Sequence, residues 1–319
     1  MPTYLVTGGA GFIGSHLAQA LVERGEKVRV LDNFATGKID NLLAVADEIE
    51  LISGDICDEA AVKRAVAGCE VVFHQAALAS VPRSIEDPLA THAACATGTL
   101  ILLHEARKAG VRRLVNAASS SAYGNPSQGT GDRGQGTESK READLPSPLS
   151  PYAAAKLAGE MYCAAFWKSY GFETVALRYF NVFGPRQDPK GLYAAVIPLF
   201  IKAILAGQQP LIFGDGGQTR DFTYVENVVR ANLMAAEASG AAGQVFNVGS
   251  GVAISLLDLL GELNAILGTE VQPIFQPERA GDVRDSLADI SRAREVLAYE
   301  PAVGFAEGLK RTVDFYRGA

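Results

Sequence analysis

Tyr152 and Lys156 stand four residues apart in the run Tyr152-Ala-Ala-Ala-Lys156. On a helix that spacing sets a phenol and an ammonium on one face, one turn from each other. A tyrosine phenol has an ordinary pKa of about 10, too high for a base at neutral pH. A cation held beside it favours the phenolate and brings that pKa towards the working range. The pair is a candidate for taking a proton from a substrate hydroxyl. Surface helices often carry the same spacing, so its meaning rests on what surrounds it.

The amino terminus supplies that setting. Residues 7–14 read Thr-Gly-Gly-Ala-Gly-Phe-Ile-Gly, with Gly8, Gly11 and Gly14 in a G-x-x-G-x-x-G spacing around Phe12 and Ile13. The run follows a predicted strand and opens a predicted helix, the context of a dinucleotide-binding turn. Gly8 permits the turn, Gly11 lets the backbone approach a pyrophosphate, and Gly14 lets helix and strand pack closely. The free N–H groups at the helix start attract the anion. Asp32 ends the second predicted strand, where a carboxylate accepts from the adenosine ribose hydroxyls and repels a 2′-phosphate. Asn33-Phe34 follows it, with no arginine to reverse the preference. The reading is NAD. Asp55-Ile56 after the third strand is a candidate for flanking the adenine. Ala76-Ala77 after the fourth leaves room for the dinucleotide to cross the sheet edge. Ser119-Ser120-Ser121 follows the fifth strand, and in an open parallel sheet ligands bind at such carboxyl ends. Ser119 is thereby a candidate partner of Tyr152. Ser120 and Ser121 also read as an ordinary turn.

The elements that must hold these residues alternate. Short apolar runs at 4–7, 27–32, 50–53, 70–73, 113–117 and 173–177 suit strands buried on both faces of a parallel sheet. Helical stretches at 13–24, 60–67, 88–109 and 152–170 fall between most of them. This predicts an α/β fold, a doubly wound parallel (Rossmann) sheet with right-handed crossovers. After Tyr179, prolines and glycines crowd the chain. The expected division is a cofactor domain over 1–180 and a smaller carboxyl-terminal lobe over 181–319. A helix at 225–238 and a strand at 246–249 suggest that segments near 222–250 return to the first domain. Residues 125–147 are polar, charged and glycine-rich, which reads as a solvated insertion or as a lid between Ser119 and Tyr152.

The 319 residues carry a net charge of −7, which argues against nucleic-acid or anionic-membrane partners. Cys57, Cys69, Cys95 and Cys163 form no Cys-x-x-Cys run, so neither a metal site nor a disulfide framework is expected, and each reads as a small core residue. The first residues lack a basic, then apolar, leader pattern, and no apolar run reaches spanning length. A cytoplasmic protein is expected.

Taken together, the glycine turn, Asp32, Ser119, Tyr152-x-x-x-Lys156 and Arg178-Tyr-Phe-Asn-Val-Phe-Gly184 resemble the extended short-chain dehydrogenase/reductase family over essentially the whole chain. Within it the chain is most similar to the NAD-dependent nucleotide-sugar 4-epimerases of the UDP-glucose and UDP-N-acetylglucosamine type. The runs Ser80-Val-Pro-Arg-Ser84, Arg186-Gln-Asp-Pro189, Tyr193-Ala-Ala-Val-Ile-Pro198 and Arg220-Asp-Phe222 are similar to the N-acetylhexosamine branch. The resemblance implies that Tyr152 takes the proton of the sugar 4-hydroxyl, that Lys156 lowers the tyrosine pKa and holds the nicotinamide ribose, and that Ser119 binds O4. Asn181, Arg220 and Arg279 match positions that contact the diphosphate. Val196 and the 211–213 run are candidates for the uridine pocket, and Asp282 for the nucleotide ribose. Ser80 and Ser120 are further substrate candidates. Ser286 falls at the residue that gates the sugar pocket, where a small side chain leaves room for a 2-acetamido group. A UDP-glucuronate 4-epimerase is the main alternative, because Arg83 or Arg186 could pair with a uronate. Dehydratases carry an Asp-Glu pair where this chain has Ser-Ser-Ser-Ala-Tyr123, and decarboxylases a carboxylate near Ser121. A non-catalytic NAD-binding relative would usually lack the Tyr/Lys pair. The alanine-rich 88–109 and 152–170 helices imply a homodimer paired through four helices.

Overall fold

Seven short strands pair side by side and in parallel. They are β1 (Thr3–Thr7), β2 (Lys27–Asp32), β3 (Ile49–Ser53), β4 (Cys69–His74), β5 (Arg113–Ser119), β6 (Glu173–Tyr179) and β7 (Gln244–Val248), in the order β7-β6-β5-β4-β1-β2-β3. The computed structural model describes residues 3–124, 139–189, 195–278 and 283–318. The strand order reverses between β1 and β4. Crossovers leave there for opposite sides, and their departure opens a crevice at the carboxyl ends.

Both faces of the sheet are covered, which is why its strands are apolar on both sides. On one face Val6, Val30, Phe73, Val115 and Leu177 pack under the helices Phe12–Glu23 and Val225–Glu237 through Leu17, Leu21, Val228 and Ala235. On the other, Leu5, Leu31, Val72 and Leu114 meet Val62, Leu102, Leu103 and Phe166 from the helices Glu59–Val66, Gly98–Lys108 and Pro151–Tyr170. A separate apolar cluster in the carboxyl-terminal half joins Phe200, Ile201, Leu259 and Leu309 from three further helices. No helix among the described residues is long and apolar enough to cross a membrane.

The helix that carries Tyr152 has strong local causes. Ser150 accepts from Ala153 N at 3.1 Å, Pro151 opens the helix, and left-handed Gly171 closes it by donating its N–H to Trp167 O at 2.9 Å. The stretch expected as one helix over 88–109 is not uniform. It runs as Pro88–His92, a π stretch Ala93–Thr97, and Gly98–Lys108. The widened turn carries Cys95, whose carbonyl accepts the Thr99 hydroxyl at 2.7 Å. A Cβ on Gly159 would lie 3.3 Å from that carbonyl, so the 151–170 helix passes close by.

Candidate active site

The glycine turn is built by contact. Gly8 has φ +68°, and a Cβ there would sit 2.6 Å from Ala76 N. A Cβ on Gly14 would overlap the Gly8 carbonyl oxygen. The turn closes through Gly11 N–H donating to Gly8 O at 3.0 Å, and Gly8 N–H reaches Leu31 O at 2.8 Å. The result is a cradle of bare backbone at the start of the Phe12–Glu23 helix, beside the switch point. Asp32 stands next to it, with its carboxylate fixed by Ala10 N (2.9 Å) and Phe34 N (2.8 Å). An anionic pyrophosphate fits the cradle, and a ribose diol fits the remaining lone pairs of Asp32.

Below the crevice a buried chain of polar groups joins β1 to β4. The Thr99 hydroxyl donates to Cys95 O, so His74 Nε2–H must donate to Thr99 Oγ1 (2.9 Å), and His74 Nδ1 accepts from the Thr7 hydroxyl at 2.8 Å. Burial, helped by the nearby Lys156 ammonium, pushes the His74 pKa down to about 3. The imidazole is therefore neutral and fixed in one tautomer.

At the end of β5, Ser119 Oγ accepts from Ser121 N (3.2 Å) and lies 2.8 Å from Ser121 Oγ. This holds the hydroxyls of both residues in the cleft. Tyr152 and Lys156 enter from the helix above. Burial pushes the Tyr152 phenol upward, Cys95 adds to that, and the hydrogen-bonding influence of Ser119 opposes it. Burial also pushes the Lys156 ammonium downward. Desolvation thus acts on both groups against their charged forms, and a positive charge beside the phenol would favour the phenolate.

One cavity of about 1080 Å³ runs along the carboxyl ends of the strands. It brings together Gly8, Gly11, Phe12, Ile13, Gly14, Asp32, Asn33, Asp55, Ile56, Ala76, Ala77, Ser80, Ser119, Ser120, Tyr152, Lys156, Asn181, Arg220 and Ser286 from the sequence reading. Asn33 Nδ2 donates to Asp55 Oδ2 at 2.7 Å and ties the two acidic strand ends together. Ser286 is 7% exposed and pairs with Arg220 in register. Val196 sits beside the cavity rather than on its described wall. It opens a helix and packs on the third apolar cluster, while its neighbour Ala195 lines the cavity. An isolated valine before an apolar run reads alike as pocket or core, and Val196 is half-buried against that cluster. Ile212, at the centre of the 211–213 run, is likewise buried in that cluster. Arg279, Asp282 and positions 125–138 of the insertion lie outside the described residues.

The cavity also holds residues to which the sequence reading gave no site role, among them Cys57, expected in the core. Cys57 is only half-buried and lines the wall. Gln75, Lys38 and Lys140 line it too. Lys140 sits in a stretch read as solvated, yet it is 5% exposed. Among the described residues, no cluster of three or more His, Cys, Asp or Glu side chains could hold a metal ion.

Known proteins share this arrangement. Residues 4–249 match the model of the NAD dependent epimerase/dehydratase family. A UDP-glucose 4-epimerase of Mycolicibacterium smegmatis is 41% identical over 98% of both chains. The crystal structure of a Thermotoga maritima UDP-glucose 4-epimerase with UDP-glucose superposes with a TM-score of 0.90 at 40% identity, covering 99% of each chain. A UDP-N-acetylglucosamine 4-epimerase from Methanobrevibacter ruminantium, in complex with UDP-N-acetylmuramic acid, gives 0.92 at 38% identity, covering 99% of this chain and 98% of its own. Sheet order, glycine cradle and full-length similarity agree that the chain belongs to the NAD-dependent epimerase/dehydratase family and uses NAD as its cofactor.

Proposed function

We propose that this NAD-dependent UDP-sugar 4-epimerase interconverts UDP-GlcNAc with UDP-GalNAc and UDP-Glc with UDP-Gal through a transient 4-keto sugar. The observation that carries the reading is the convergence of Ser119, Tyr152, Lys156 and Ser286 on one cavity that also contains the glycine cradle. In this reading Gly8, Gly11, Phe12, Ile13 and Gly14 hold the pyrophosphate, Asp32 and Asn33 the adenosine ribose, and Asp55 and Ile56 the adenine edge. Ala76 and Ala77 give the cofactor room to pass. Bound NAD supplies a hydride acceptor and donor at C4, and its oxidised ring supplies a positive charge beside the phenol. Tyr152 takes the O4 proton and later returns it, Ser119 orients O4, and Lys156 holds a ribose and favours the phenolate. Asn181 and Arg220 contact the diphosphate, because a guanidinium presents two parallel donors to phosphate. Arg279 joins this clamp, Asp282 contacts the nucleotide ribose, and Ser80 and Ser120 border the sugar.

Ser286 supports the acetylated pair. It is a small, buried hydroxymethyl side chain lining the cleft, so a 2-acetamido group meets space there. Wild-type enzyme should turn over UDP-GlcNAc, and Ser286→Tyr should cut kcat/KM for the acetylated pair by at least about tenfold more than for UDP-Glc, since overfilling a packed pocket costs about 1–3 kcal/mol. Absence of any UDP-GlcNAc turnover by the wild type sinks the acetylated assignment.

We also propose that residues 1–180 with the returning 222–250 segment form the cofactor domain, the rest forming the nucleotide-sugar lobe. Limited proteolysis with and without NAD tests this, as cofactor should protect only the first set of sites. A homodimer is proposed through the 88–108 and 151–170 helices, on which Leu89 (81% exposed), Met161 (49%) and Tyr162 (38%) present apolar surface to solvent. Sedimentation at micromolar concentration should give twice the 33.7 kDa chain mass. A monomer there ends that proposal.

A further inference from the structure

Thr7, His74, Thr99 and Cys95 lie behind the wall of the cleft, each at most 1% exposed. Polar groups in an apolar interior are costly unless paired, and a paired set fixes the placement of the elements that carry it. Here those elements are β1, β4 and the irregular helix over 88–108. The chain runs from the Thr7 hydroxyl through both nitrogens of His74 to the Thr99 hydroxyl and the Cys95 carbonyl.

Its two ends differ. Thr7 precedes the glycine cradle, which backbone bonds hold without His74: Gly8 N–H to Leu31 O, Gly11 N–H to Gly8 O, and Gln75 N–H to Thr7 O. Thr99 follows the π turn, where the regular ladder is broken and Gly98 N–H reaches back five residues to Ala93 O. With the ladder interrupted, the side-chain bonds at Thr99 set where Cys95 sits. The helix with the acid–base pair leans on that turn. Tyr152, Ala155 and Ala158 pack with Cys95 and Ala96, and a Cβ on Gly159 would lie 3.3 Å from both Cys95 O and Thr99 Cγ2. Lys156 is near enough to His74 to disfavour an imidazolium there.

We propose that His74 is a positioning residue for proton transfer. Through Thr99 and the Cys95 turn it holds the helix bearing Tyr152 and Lys156 at the distance from the cofactor cradle that the reaction needs. This rests on the UDP-sugar 4-epimerase reading and adds to it a residue that touches neither cofactor nor sugar. His74 exchanges no proton with substrate, since threonine hydroxyls occupy both its nitrogens.

Side-chain geometry supplies the test. Glutamine carries an amide donor about as far from the backbone as His Nε2, and asparagine carries an acceptor near the place of His Nδ1. His74→Phe should keep bound NAD, move KM less than about threefold and lower kcat about 10- to 100-fold, the cost of misplacing a reacting group by about 1 Å. His74→Gln, which restores the Thr99 end, should recover most of kcat, and His74→Asn, which restores only the Thr7 end, should not. Thr99→Val should lower kcat similarly, and adding His74→Phe to it should cost little more, because both act on one chain. Val111→Ala truncates the core at the opposite edge of the sheet and should lower stability without lowering kcat of the folded protein. Loss of NAD together with kcat, recovery by His74→Asn but not His74→Gln, additive losses in the double variant, or an equal kcat loss in Val111→Ala each overturns the proposal. Should His74→Phe not fold, Thr99→Val decides alone, and kcat within about twofold of wild type overturns it. If wild type converts no UDP-sugar, the epimerase reading fails by itself. The ultraviolet phenolate signal of the NAD complex, identified by its absence from Tyr152→Phe, then decides His74. In Thr99→Val it should appear at higher pH than in wild type, because the phenol has moved away from positive charge. An unchanged titration overturns the proposal.

Discussion

Tyr152→Phe is expected to retain NAD, to melt close to wild type, and to lose about 10²- to 10⁴-fold in kcat, the usual worth of a positioned acid–base group. The substitution removes one oxygen. The ring keeps its packing against Cys95, Ala96 and Ala155, so the helix register and the Lys156 position are preserved. Ser119 loses its hydrogen-bonding contact with the phenol but keeps those with Ser121, so its orientation should largely survive. The loss should therefore fall on kcat, with KM moving little. Burial raises the phenol pKa in the ligand-free protein. The deprotonated fraction grows with pH, so wild-type kcat should rise through the pKa that operates in the complex, and the residual activity of the variant should not follow that limb. Turnover by Tyr152→Phe within about tenfold of wild type would remove the phenol from the chemistry.

How much of this was legible beforehand follows the range of the interactions. The glycine cradle is local. A side chain on Gly14 would overlap Gly8 within the turn itself, and Gly8 takes the left-handed conformation the turn needs, so the spacing reveals them. The strands of the sheet are legible because burial on both faces leaves unbroken apolar runs. Strand ends are less so. β5 and β6 continue two residues past their expected limits, to Ser119 and Tyr179, because those two residues pair with each other. Lys140 was hidden for the same reason in stronger form. Its neighbours are polar, and its burial comes from Ala288 and Asn247, more than a hundred residues away. The Tyr152 environment was legible only in part. Spacing shows that a cation is near the phenol, but desolvation of both groups is a property of the closed cleft. Arg178 stood out in the sequence only as part of a family-like run. Its partner Glu160 did not stand out at all.

That partner supports the second large expectation, a loss of about 3–5 kcal/mol of folding stability in Glu160→Ala. Glu160 and Arg178 are 3% and 2% exposed. The carboxylate receives Arg178 Nη2 at 2.6 Å and Nε at 2.9 Å, a forked pair between the 151–170 helix and β6. The guanidinium also lies 4.5 Å over the Tyr123 ring, and the Tyr123 hydroxyl donates to Asn247 Oδ1 at 2.7 Å. Removing the carboxylate leaves a cation that cannot become neutral, with no water to solvate it. Removing both charges is different. A Glu160→Met/Arg178→Met protein avoids the stranded cation and should recover much of the loss, because apolar replacement of a buried pair is often neutral. Urea midpoints of the three proteins measure this. A single-variant loss below about 1 kcal/mol would show the pair behaving like a solvent-screened surface bridge. The consequence reaches the chemistry through geometry. Glu160 is one turn beyond Lys156 and two beyond Tyr152 on the same helix, while Arg178 and Tyr123 flank the loop that presents Ser119. The pair clamps the element carrying the base to the element that orients the substrate. Glu160→Ala should therefore lose kcat by a larger factor than Glu160→Met/Arg178→Met, even under conditions where both are fully folded, because the stranded guanidinium pulls on Tyr123 and the apolar pair does not.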